Sequence, residues 1–109
     1  MPSRADTALD YLAPEMLTTG VYDHRIDVWA LGILTYECLC GVPPFEVPDS
    51  VEDTHEKIKA GAVVFPEEIA ISDEAKDLVN RLLQKSAEDR PTLAEVLEHP
   101  FVARAVPIS

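Results

Sequence analysis

One stretch constrains this chain more than any other. From Asp23 to Cys40, apolar residues fall on nearly every face of a helix: Ile26, Val28, Trp29, Leu31, Ile33, Leu34, Tyr36 and Leu39. A helix apolar all round belongs at the centre of a protein, because no orientation gives water a polar face. Gly41 stands just past its end, where a left-handed cap is commonly needed. Pro43 and Pro44 then forbid continuation. The chain has 109 residues, and a chain this short buries only a modest share of its surface. Burying such a helix therefore needs the other helices wrapped about it, or a surface supplied from elsewhere.

The remaining elements read as short helices punctuated by Pro and Gly. Pro14 suits a first helical position and opens one turn, Pro14 to Thr18. Ser50 caps a further helix that ends at Gly61, with Asp53 completing a capping box. Val63, Val64 and Phe65 form a short extended stretch stopped by Pro66. Ser72 caps the next helix, whose Ala75, Leu78, Val79, Leu82 and Leu83 make a full amphipathic stripe. Thr92 and Glu95 form a T-x-x-E capping box. The helix they open is expected to bury Leu93, Val96 and Leu97 and to stop before Pro100. No run alternates long enough to build a sheet, so the expected class is all-α.

Composition excludes some functions. Apolar residues make up 47% of the chain and the net charge is −11, which argues against a nucleic-acid backbone and against an anionic membrane surface. The balance fits a solvated surface or a basic peptide or protein partner. Cys38 and Cys40 point roughly 200° apart on a helix and cannot pair with each other. They read as buried packing thiols in a reducing compartment. His24, His55 and His99 are scattered, so no metal site is expected. Nothing resembles a signal peptide or a membrane span, and the expected location is cytoplasmic or nuclear.

Several short strings carry a family likeness. Asp10-Tyr11-Leu12-Ala13-Pro14-Glu15 contains the A-P-E that closes a protein kinase activation segment and resembles the D-Y-L-x-P-E of Aurora-type kinases. Asp27-Val28-Trp29-Ala30-Leu31-Gly32 resembles the D-x-W-x-x-G of kinase helix F. Tyr36-Glu37 and Gly41-Val42-Pro43-Pro44-Phe45-Glu46 match the strings that follow it, and Asp89-Arg90-Pro91-Thr92 and Glu98-His99-Pro100-Phe101 match those near the end of the kinase fold. Order and spacing agree over positions 9–103; 1–8 do not match, and 104–109 form a tail. The resemblance implies a helical C-lobe fragment of a protein-kinase-like fold: the end of the activation segment plus helices F to I. A truncated gene product, an incomplete gene model and a fragment all fit it.

The resemblance also implies roles. Glu15 forms a buried ion pair with Arg90, beside the structural Ala13 and Pro14. Asp27 accepts backbone hydrogen bonds from the catalytic loop, which this sequence does not contain, so it is expected to be unpaired or hydrated here. Trp29 is a core anchor and Gly32 permits close backbone approach. Glu37, oriented by Tyr11 and accompanied by Leu9, is expected to receive an arginine of a basic peptide substrate; the competing reading is a carboxylate facing solvent. Kinases of this type use ATP and Mg²⁺ through a Gly-rich loop, a phosphate-pairing Lys, H-R-D and D-F-G. None of these occurs here, so no catalytic, cofactor-binding or metal-binding residue is expected in this chain. The alternative function is a non-catalytic helical module or pseudokinase-like short form that docks basic peptides or partners.

Overall fold

The computed structural model of the protein describes residues 12–47 and 49–105. It places α1 at Pro14–Thr18, α2 at Arg25–Cys40, α3 at Val51–Ala60, α4 at Asp73–Leu82, a 3₁₀ turn at Ala87–Asp89, α5 at Leu93–Glu98 and α6 at Pro100–Ala105. No strand forms among the described residues, so the class is all-α.

The caps follow local chemistry. Gly41 closes α2 at φ 86° and donates its N–H to Glu37 O at 2.7 Å, a conformation that costs a residue with a Cβ more than it costs glycine. Ser72 Oγ accepts the N–H of Ala75, and Thr92 and Glu95 form the reciprocal capping box. The expected box at Ser50 is only half made. Its Oγ accepts from Asp53 N–H at 3.1 Å, but its own N–H goes to Val47 O. The start of α2 also differs. Asp23 turns its carboxylate onto the N–H of Arg25 at 2.9 Å, and the helix begins at Arg25 rather than Asp23.

α2 packs chiefly against α4. The α4 stripe straddles it: Val79 and Leu83 join Trp29, Ile33, Tyr36 and Phe45 in one cluster, while Leu78 and Leu82 join Val28 and Val96 in a second. Gly32 lies at the crossing. A Cβ there would stand 2.6 Å from Leu83 Cδ2 and 2.9 Å from Leu82 Cβ, closer than carbon atoms tolerate. Gly32→Ala therefore destabilises the chain by about 1–3 kcal/mol through overpacking, although alanine favours a helix by about 1 kcal/mol. Urea unfolding measures this, and a variant as stable as the parent would contradict the close approach.

Two expectations about burial fail. Leu93 and Leu97 are 59% and 66% exposed, and Val96 is the buried residue of α5. A helix of six residues presents one narrow face to the core; Val96 takes it, and the other two, one turn apart, point elsewhere. Cys38 is exposed while Cys40 is buried. Leu34 is also 48% exposed, so the all-round apolar α2 is covered on one side and open on another. α6 is a further element that the sequence does not predict. Pro100 ends α5 but fits the first turn of a new helix, and Phe101 and Val102 return to the second cluster.

Candidate functional site

Arg90 follows the 3₁₀ turn in an extended conformation, and its side chain is fully buried. A buried guanidinium must place its five donors, and this one does. Nη1 donates to Glu15 Oε2 at 2.8 Å and to Arg25 O at 3.0 Å. Nη2 donates to Glu15 Oε1 at 2.7 Å and to Lys85 O at 3.3 Å, and Nε donates to Gln84 O at 2.9 Å. The pairing with Glu15 is bidentate, the strongest geometry available to an arginine and a carboxylate. Burial pushes the Glu15 carboxyl up, but hydrogen bonds and the charge of Arg90 outweigh it and hold the carboxyl below its ordinary value.

The surroundings fix this clamp from both ends. Ala13 and Pro14 are buried, and Ala13 O accepts Met16 N–H at 3.0 Å, so α1 starts at a defined point. The Arg90 guanidinium lies 5.2 Å from the Trp29 ring centroid, and Phe45 stacks on the same indole at 5.6 Å. One arginine thus ties α1, the first residue of α2, the segment after α4 and the Trp29 anchor.

Asp27 lies in the first turn of α2, exposed, with its N–H donated to His24 O. Its carboxylate takes no hydrogen bond among the described residues. Beside it a hollow of about 250 Å³ opens between α2 and the start of α5, walled by Asp27, Val28, Pro91 and Leu93. Glu37 sits half-buried on α2, one turn before the Gly41 cap. Tyr11 and Leu9 lie outside the described residues.

Two polar arrangements escape the sequence reading. Thr54 is 2% exposed; its Oγ1 accepts Val47 N–H and donates to Ser50 O, pinning the loop before α3. His99 Nε2 meets Asp77 Oδ2 at 2.7 Å, and Arg81 Nε shares that oxygen. The E-H-P-F string marks His99, but nothing local points from it to Asp77. Among the described residues no three His, Cys, Asp or Glu side chains gather to hold a metal ion, and no helix is long and apolar enough to cross a membrane.

The order of these pieces, an A-P-E turn clamped by a distant arginine around a central tryptophan helix, defines a class. Residues 3–102 match the model of the protein kinase domain, and the chain belongs to that family as a C-terminal, helical part of the domain. Its relatives include an Aurora kinase of Debaryomyces hansenii, 48% identical over 94 residues that cover 86% of this chain and 22% of that protein. Serine/threonine-protein kinase Aurora-1 of Arabidopsis thaliana is 44% identical over 96 residues, 88% of this chain and 32% of that protein. Probable serine/threonine-protein kinase CCRP1 of Zea mays is 41% identical over 97 residues, 88% of this chain and 15% of that protein. The chain spans under a third of the length of each of these three.

Proposed function

We propose that the whole protein is an Aurora-like Ser/Thr kinase that transfers the γ-phosphate of ATP, with Mg²⁺, to Ser or Thr of protein substrates, and that this chain forms its peptide-docking face and helical scaffold. The observation that carries the reading is the five-bond seat of Arg90 on Glu15, Arg25 and the segment after α4. It fixes the end of the activation segment against α2, where a substrate would lie. Phosphoryl transfer depends almost wholly on positioning and charge stabilisation, so a scaffold contributes by holding reacting groups still. Asp27 has an open hollow beside it and an exposed carboxylate, which suits it to accept backbone N–H groups of a catalytic loop from the rest of the domain. The nucleotide and metal belong to that same remainder, which is this chain's first partner.

Glu37, with Tyr11 and Leu9, takes the basic side chain of the peptide. A carboxylate–guanidinium hydrogen bond at a part-exposed site contributes about 1 kcal/mol, roughly fivefold in affinity. Calorimetric titration of this chain with an arginine-containing serine peptide tests it. Glu37→Gln weakens binding roughly fivefold, and the parent's affinity falls as salt rises. Equal affinity in the variant, or preference for an acidic peptide, would contradict the docking role.

A further inference from the structure

We propose that His99 is a proton-operated latch that holds α6 to α4: closed with a single ring proton on Nε2, and opened toward α6 when Nδ1 takes a second. His99 lies between α5 and α6, with the imidazole only 9% exposed. Nδ1 lies 3.1 Å from the N–H of Phe101, the second residue of α6, so Nδ1 is the acceptor there. Nε2 lies 2.7 Å from Asp77 Oδ2 on α4, so Nε2 carries the proton. Only the neutral Nε2–H tautomer satisfies both contacts. The ring therefore caps one of the N–H groups that open α6 and anchors that cap to α4.

A second proton acts unequally on the two contacts. On Nδ1 it faces the Phe101 N–H, and two donors cannot bond. On the other side the imidazolium keeps its hydrogen bond to Asp77. That carboxyl is held below its ordinary value by its hydrogen bonds to His99 and Arg81, so it remains ionised wherever a histidine titrates. The ring stays on α4 and lets go of α6. A helix of six residues does not hold together without tertiary support, and α6 is then left with the packing of Phe101 and Val102 on the second cluster. The closed latch binds one proton fewer than the open one, so falling pH opens it.

The other charges on the surrounding groove are largely engaged. Arg81 of α4 is bonded to Asp77. Glu95 of α5 is spent on Thr92 N–H, Glu88 of the 3₁₀ turn on Ser86, and Arg90 on Glu15. Asp89 and Glu98 complete the charged lining. Asp77 is the one that touches the ring, and it sets the latch most directly.

The test is NMR of the labelled chain. Imidazole ¹⁵N shifts near neutral pH should report the Nε2–H tautomer. As the same shifts report the ring taking up its second proton, the hydrogen-exchange protection of the Phe101 amide should fall about tenfold after correction for intrinsic rates, while Ile33 of α2 stays protected. Asp77→Asn keeps an acceptor without its charge, and the loss of Phe101 protection should still coincide with protonation of the ring. His99→Asn retains a capping group that does not titrate and should make Phe101 protection independent of pH. An Nδ1–H tautomer, an unprotected Phe101 amide while the ring is neutral, protection unchanged as the ring takes its second proton, or Ile33 losing protection in step with Phe101 would each overturn the proposal.

Discussion

Arg90→Ala is expected to remove about 3–5 kcal/mol of stability, because taking one partner from a buried ion pair leaves the other charge uncompensated. The Glu15 carboxylate would lose both of its short bonds, and the carbonyls of Arg25, Gln84 and Lys85 would lose their donor. Small domains hold about 5–15 kcal/mol in total, so this one change takes much of the margin. Arg90→Lys keeps the charge but cannot form five bonds from a planar fork, and its stability should fall between parent and alanine variant. The chain has one tryptophan, Trp29, which packs against the guanidinium, so near-ultraviolet circular dichroism during urea unfolding reports on this site. An alanine variant within about 1 kcal/mol of the parent would show that the clamp is not seated as described.

Trp29→Ala carries a comparable expected cost, about 3–5 kcal/mol, the usual range for emptying a buried aromatic site. The indole is fully buried in the first cluster, stacked on Phe45 and packed against Arg90. Its Nε1, also buried, finds no acceptor among the described residues. Trp29→Phe retains most of the stacking and removes a donor that has no partner among the described residues, which lowers the penalty for the lost ring. The phenylalanine variant should therefore cost under about 1.5 kcal/mol, and far-ultraviolet circular dichroism during urea unfolding compares the two. Equal losses for alanine and phenylalanine would contradict the packing described here. Because Trp29 and Arg90 touch, their alanine variants should not combine additively.

Gly41, Ser72 and Thr92 were legible because a cap depends on residues within one turn. The α4 stripe was legible because five apolar residues at helical spacing leave one solution, and the structure buries all five. α5 shows the limit. Leu93, Val96 and Leu97 are all apolar, but six residues do not define a face, and only the position of Val28, Leu78 and Leu82 decides that Val96 goes inward. The same limit hides which side of α2 stays open at Leu34 and Cys38, since a run apolar all round carries no directional signal. Glu15 and Arg90 are 75 positions apart, and no local pattern pairs them; their pairing was readable only through the likeness of the A-P-E and R-P strings to a family. The E-H-P-F string marks His99 but not its partner, and Asp77 and His99 are joined only by the way α4 packs against the start of α6.

The most direct test of the account is ATP γ-phosphate transfer by the purified 109-residue chain to an arginine-containing serine peptide with Mg²⁺ present. The expected result is no transfer above a protein-free control, because the proposed function places the groups that bind the nucleotide and order the metal in the rest of the kinase domain. Sustained transfer that follows the chain through purification and is lost on Glu37→Ala would mean that it carries phosphoryl-transfer machinery which this account assigns elsewhere.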